Sequence, residues 1–218
     1  NIYNVFVSSG TTGLAVLDGF TITNGHANAY LNIVVNGNQI FKCSGSGIYN
    51  SVSIPNYKNL ILINNTCTES GGGMFSYMSS PRLQQVKIKN NNAKDGGGIA
   101  SQQNSMPLLI NIATEKGSGM YNVNQSTAVL YNVTMAGNEA SVNSAAGDPC
   151  VSEADSQVIS NNSIIWDNIT GSYTAEYSLI KDSNDTSNGN INASGYVDTD
   201  IFVDPVNGNF SLKSTSPA

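Results

Sequence analysis

Three carboxylates stand just ahead of three glycine clusters in this chain: Glu69 before Gly71-Gly72-Gly73, Asp95 before Gly96-Gly97-Gly98, and Glu115 before Gly117-Ser118-Gly119. If each cluster marks the same place in a stacked repeat, the carboxylates lie about 4.8 Å apart, one per layer. Like charges at that spacing repel unless a cation or a proton relieves them. Ca²⁺ is a hard ion that takes oxygen ligands, so Glu69, Asp95 and Glu115 are the candidate metal ligands. The competing reading is a set of solvated turn charges balanced by Lys94 and Lys116.

The glycine clusters frame a second candidate. Ile48, Met74, Ile99 and Met120 follow them at equivalent places. If these point inward, strand alternation turns Tyr49, Phe75, Ala100 and Tyr121 outward on one face. Rings in a row suit stacking on sugar rings, which makes Tyr49, Phe75 and Tyr121 the candidate ligand-binding residues, with Ala100 interrupting the row. The alternative places these rings beneath the segment 26–44. Cys43 and Cys67 each precede a glycine cluster at a separation close to one repeat, and stacked residues of neighbouring layers fall within the Cα range of a disulfide. Cys43 and Cys67 are therefore a possible disulfide. Their offsets from the glycines differ by two residues, which leaves two separate buried thiols as the other reading. Cys150 makes the cysteine number odd, so at least one thiol is left over.

Catalysis asks for more than this. A β-eliminating enzyme needs a basic side chain beside its carboxylates, and an inverting hydrolase needs two carboxylates about 6.5–9.5 Å apart. The single arginine, Arg82, falls on a different strand of the repeat from the acidic residues, and the single histidine, His26, sits in a Gly- and Asn-rich turn. Asp18 and Asp167 are lone carboxylates at strand ends. No catalytic residues are assigned, although an enzyme built by the inserted segment stays open. Asn-x-Ser/Thr sequons at Asn64, Asn132, Asn168 and Asn209 follow from composition alone.

The elements that must position these residues are set by an internal repeat. Pro55, Pro81 and Pro107 fall at equal intervals of 26 within matching Ser-x-Pro segments, each followed by alternating apolar residues such as Leu60/Leu62 and Val86/Ile88. The strand pattern recurs at Leu130–Met135, more loosely at Ser163–Asn168, and is prefigured at Asp18–Asn24. Period-two alternation over four to six residues, bounded by Gly and Asn, reads as strand. No Leu-x-x-Leu-x-Leu frame is present, which sets leucine-rich repeats aside. The expected fold is all-β: a single-stranded parallel β-helix (solenoid) of about five to six coils. Within a single domain of 218 residues, 1–25 forms a first coil, 26–44 an insertion, 45–140 the regular coils, 141–156 a loop, 157–180 a last irregular coil, and 181–218 a closing segment.

Composition agrees and excludes other classes. Asparagine, with 31 residues, outnumbers the 15 acidic and 9 basic residues together. Asparagine tolerates the left-handed turns of such coils, and stacked amides such as Asn65, Asn91 and Asn138 can form ladders. A pI near 4.5 argues against nucleic-acid binding, which needs a basic surface. No run of about 20 apolar residues is present to span a membrane. Oligomeric state is not readable.

The Gly-Gly-Gly-Ile/Met motif followed by Ser-x-Pro-x-Leu-x-x-Val-x-Ile-x-Asn-Asn resembles secreted right-handed parallel β-helix proteins of bacteria. These are the pectate-lyase-like solenoids, with Gly-rich repeats akin to those of polymorphic outer-membrane proteins. Residues 15–25 are similar to an internal coil of such proteins. The ending, from Asn162-Ser163-Ile164-Ile165-Trp166-Asp167-Asn168 through Phe202-Val203-Asp204-Pro205, resembles Bacteroidetes-type surface members. The resemblance covers most of the chain. It implies a secreted or outer-cell-surface location in a bacterium, and polysaccharide or host-surface glycan as partner. It also implies Ca²⁺ sites of the kind that the lyase relatives use, which is the reading given above to Glu69, Asp95 and Glu115. Solenoids of this group serve as adhesins, lyases, hydrolases and passive stalks, so the fold alone does not choose among them. The expected function is adhesin-like or glycan-binding without catalysis; the alternatives are a polysaccharide lyase or glycoside hydrolase, and a structural stalk.

Overall fold

The computed structural model describes residues 2–115, 119–138, 150–152 and 155–218. The chain deals its strands in turn to three parallel sheets of seven strands each. Sheet I takes Phe6–Ser9, Ile48–Ser51, Met74–Tyr77, Ile99–Gln102, Met120–Asn122, Cys150–Ser152 and Ile169–Gly171. Sheet II takes Val16–Asp18, Asn56–Lys58, Arg82–Gln84, Leu108–Ile110, Thr127–Tyr131, Gln157–Asn161 and Tyr173–Glu176. Sheet III takes Thr21–Thr23, Ile61–Ile63, Lys87–Lys89, Ala113–Glu115, Thr134–Ala136, Ile164–Ile165 and Leu179–Ile180. The register follows the sequence repeat: Ile48 pairs with Met74, Met74 with Ile99, and Ile99 with Met120.

Alternation decides what each strand buries. Ile48, Met74, Ile99 and Met120 of sheet I meet Tyr57, Leu83, Leu109 and Leu130 of sheet II and Leu62, Ile88 and Met135 of sheet III in one apolar core. The corners between sheets demand left-handed backbone, which costs least for Gly and Asn. Asn59, Gln85, Asn111, Asn132 and Asn162 turn from sheet II to sheet III with φ between 47 and 56°, and Asn24, Asn64 and Asn90 leave sheet III with φ between 53 and 60°. The triple-glycine motif has another cause. A Cβ added at Gly73 would lie 2.6 Å from the Gly98 carbonyl oxygen, so neighbouring layers pass too closely here for any side chain.

Two features depart from the sequence-based expectation. Each sheet has seven strands where five to six coils were expected, because residues 150–180 supply two sets. Only 19 residues separate the paired Cys150 and Ile169, too few for a reading tuned to an interval of 26. The strand Cys150–Ser152 also lies inside the expected loop 141–156, the rest of which falls mostly outside the described residues.

Both additions to the sheets fold onto outer faces. Within 26–44, Asn32–Val35 and Asn38–Phe41 form an antiparallel hairpin. Its two-residue turn, Asn36-Gly37, has φ of 48 and 77°, both positive as a type I′ turn requires. The closing segment bridges Ile191 to Leu179 beside the last strand of sheet III. It then packs Ile201 and Phe202, from a short helix Asp198–Ile201 and the strand after it, on Ala136, Ile164, Trp166 and Leu179. Closure was expected at the open end of the stack. Much of it lies on the outer face of sheet III, where apolar Ile164 and Trp166 call for cover. Among the described residues no helix is long and apolar enough to cross a membrane.

Candidate functional site

The aromatic row is real but covered. Tyr49, Phe75 and Ala100 stack in register on the outer side of sheet I, and Tyr121 follows Ala100. Ile40, Phe41 and Val35 of the hairpin pack over this row, leaving Tyr49 0% and Phe75 2% exposed; Tyr121 is half-buried. The rings of Tyr49 and Phe75 sit 5.0 Å apart at 57°, and Phe41 meets Tyr77 edge-on at 5.9 Å. The expectation of a sugar-stacking row is therefore corrected at Tyr49 and Phe75, which are buried, while half-buried Tyr121 packs at the margin of the same cluster. These rings form a second small core because burying them against Ile40 removes more apolar area from water than exposure allows.

The acidic residues do not form a ladder. Ser70 bridges to Asp95, which places Glu69 and Asp95 in adjacent layers, but Glu115 pairs in register with Lys89 on sheet III. Its carboxylate meets Lys89 Nζ at 3.2 Å. Glu69 accepts a hydrogen bond from the Tyr30 hydroxyl at 3.0 Å and lies 4.0 Å from Lys94 Nζ. The reading of Glu69, Asp95 and Glu115 as a joint Ca²⁺ site is thereby corrected: the short interval before Gly117 shifts Glu115 onto a strand, away from the other two. Among the described residues no group of three His, Cys, Asp or Glu side chains is placed to hold a metal ion.

Cys43 and Cys67 are both free thiols, so of the two readings the separate thiols hold and the possible disulfide does not. The reason is the two-residue offset. The Glu69 N–H donates to the Cys43 carbonyl, whereas Cys67 pairs in register with Ala27 and donates its N–H to Asn92. Cys43 thus stacks beside Glu69, two positions beyond Cys67. Burial pushes the Cys67 thiol up to about 12, which keeps it protonated and inert at neutral pH.

What the layers do hold together are polar ladders. The buried Asn91 Oδ1 accepts both the Asn65 backbone N–H and the Asn65 side-chain amide at 3.0 Å, while Asn91 Nδ2 donates to the Leu62 carbonyl at 2.8 Å. Asn65 in turn accepts from the Gly25 N–H and donates to the Ile22 carbonyl. The expected partner Asn138 bonds to Thr114 and to Asp167. Each such amide satisfies backbone groups that a corner leaves without sheet partners, and losing one strands several buried polar atoms at about 1–3 kcal/mol each.

Asp167 ends this column. It is 5% exposed and takes the Asn138 backbone N–H on Oδ1 and the Asn138 amide on Oδ2 at 2.7 Å. Burial pushes its carboxyl up to about 6, against the opposing pull of the Asn138 hydrogen bonds and the Lys181 charge. A serine ladder runs along another corner: the N–H groups of Ser53, Ser79, Ser105 and Ser126 donate to the hydroxyls of Ser79, Ser105, Ser126 and Ser156 at 3.1–3.2 Å. Sequence reading did not assign it, though the serine of the Ser-x-Pro motif was its visible signal.

One face left open is the outer side of sheet II. Inward Tyr57, Leu83, Leu109, Leu130 and Ser160 leave two outward columns, Asn56-Arg82-Leu108-Val129-Ile159 and Lys58-Gln84-Ile110-Tyr131-Asn161. Every one of these ten residues is exposed or half-buried, and the face runs about 20 Å across five strands. Along its edge, exposed Asn162 donates to Asn132 at 2.6 Å and Asn132 to Asn111 at 3.0 Å. Arg82, dismissed as a catalytic base, and Tyr131 lie on this face. Sequence reasoning missed it because alternation marks two outward columns on every sheet and does not say which one stays uncovered. His26 lies elsewhere, on a two-residue strand paired with Thr66–Cys67, and Asp18 meets Asn59 at the edge of sheet II. No family model, curated protein or solved structure matches this chain.

Proposed function

We propose that the three sheets wind as one right-handed parallel β-helix, displayed on or secreted from a bacterial cell, that binds an extended acidic glycan along the outer face of sheet II without catalysis. The winding is supported by the order of the strands: each layer visits the three sheets in the same sequence before the next begins. The single observation that carries the binding reading is the outer face of sheet II, lined from Asn56 to Asn161 by residues that are exposed or half-buried. A flat face with one residue pair per layer suits a polymer better than a compact ligand. The Tyr131 ring offers an apolar surface to a sugar ring, and the neighbouring amides meet its hydroxyls.

Charge favours an acidic partner over a neutral one. The chain carries a net charge of −6, yet residues 42–116 hold seven Lys and Arg against three Asp and Glu. Lys58 and Arg82 project from the face itself, and Arg82 can bind a carboxylate bidentately. The test is affinity electrophoresis through gels containing polygalacturonate or alginate, read with and without the double change Arg82→Ala, Tyr131→Ala. Retardation by the acidic polymers is expected, lost in the double variant while its melting temperature stays within a few degrees of the parent. Appearance of unsaturated products would sink the non-catalytic reading in favour of a lyase. An absence of retardation by any polymer would leave a structural stalk.

A further inference from the structure

The hairpin that covers the aromatic row has an edge of its own. Among the described residues its two strands pair only with each other, as a two-stranded sheet of order Asn32–Val35, Asn38–Phe41. The tight turn makes Val35 and Asn38 a hydrogen-bonded pair, and alternation then makes Ile33 and Ile40 the next one. The bond from the Lys42 N–H to the Leu31 carbonyl continues the same phase. The backbone N–H and C=O groups of Asn32 and Val34 consequently point away from the hairpin, along its free edge. Both residues are exposed, Val34 at 68%, and Leu31 beside them at 67%.

Nothing on this strand defends it. Edge strands are ordinarily blunted by charge, proline or a bulge, and Leu31-Asn32-Ile33-Val34-Val35 has none of these. No charged residue occurs between Asp18 and Lys42, in a chain whose net charge of −6 opposes self-association elsewhere. The hairpin is also well anchored as a platform: Val35 O accepts from Ser9 Oγ at 2.7 Å, Asn36 Nδ2 donates to the Ser9 carbonyl, and Ser51 Oγ donates to the Gln39 carbonyl.

We propose that this edge pairs antiparallel with the same strand of a second copy, giving a two-fold dimer joined by a continuous four-stranded sheet. A two-fold axis beside Ile33 sets Asn32 opposite Val34 of the other copy. That register satisfies the outward N–H and C=O of both residues on each chain and places the two Ile33 side chains side by side. A second copy is the occupant because the strand is self-complementary in this register and carries no charge of its own, so two like-charged chains can meet along it.

Sedimentation equilibrium over a dilution series, with hydrogen exchange at the Asn32 and Val34 amides, tests it. A dimer that dissociates on dilution is expected, with protection of those two amides rising with concentration. Val34→Pro removes an N–H that makes no bond within the hairpin, so it should give a monomer with an unchanged melting temperature. Val34→Lys keeps that N–H and adds charge at the edge, and should weaken dimerisation about ten-fold or more. A parent chain that is monomeric at every concentration overturns the proposal. So does a dimer that survives both substitutions.

Discussion

Asp167 shows how a single side chain can couple this scaffold to pH. It occupies a ladder position that Asn65 and Asn91 fill with neutral amides, yet it is a carboxyl buried to 5% exposure. Its folded-state value, pushed up to about 6, lies above the ordinary 3.8. The folded chain therefore keeps this proton through a range where the unfolded chain has already released it. Stability from this site is fully present below about pH 4, falls as pH rises toward 6, and is level beyond that. The loss is on the order of 3 kcal/mol. Asp167→Asn should remove this slope and raise the melting temperature above pH 6, because a neutral amide accepts the Asn138 N–H without a buried charge. Thermal melts of both proteins from pH 4 to pH 8 check this; parallel curves would show that folding does not raise the Asp167 carboxyl above its ordinary value.

At the scale of elements, the hairpin converts an exposed aromatic row into a small core. Ile40, fully buried, is the residue that joins it to Tyr49, Phe75 and Ala100. Ile40→Ala should cost about 2–5 kcal/mol by leaving a cavity over the two rings. The loss should be local as well as global: cleavage of residues 28–42 by a low level of protease should speed up before the main melting transition. Unchanged cleavage together with an unchanged melt would show that the hairpin is held by its serine and asparagine contacts alone. The three sheets need no such anchor, since each inner strand is paired on both sides and most of them contribute an inward residue to the common core.

At the scale of the whole molecule, stacked layers make contacts mainly with their neighbours, so the ends and outer faces decide where unfolding begins. The single tryptophan, Trp166, reports on one of these faces. It is 3% exposed, packs edge-on against Phe202 at 6.3 Å, and donates its indole N–H to Asp198 at 2.8 Å. Asp198→Ala removes that bond and should cost about 1–2 kcal/mol. Tryptophan emission should shift to the red at lower denaturant concentration than the loss of far-ultraviolet circular dichroism, marking release of the closing segment ahead of the sheets. Coincident transitions in the variant would mean that segment and sheets unfold as one cooperative unit.

Local signals in the chain carry the all-β class, most strand positions and much of the register. An interval of 26, period-two alternation and Asn- or Gly-bearing corners are local signals, and local backbone sterics enforce them. The sequence also revealed the roles of Asn65 and Asn91, because an amide repeated at a corner has few other uses. It did not reveal that two sets of strands share residues 150–180, where the interval shortens to 19 between Cys150 and Ile169. Nor did it decide which outward residues stay outward. Tyr49 and Arg82 have the same claim to solvent in an alternating pattern, yet one lies under Ile40 and the other on an open face. Cover is supplied by segments that lie outside the repeat, and the pairing of Glu115 with Lys89 and the offset of Cys43 from Cys67 are settled by stacking in the same way. Alternation fixes the side of a strand, but only tertiary packing determines what lies against it.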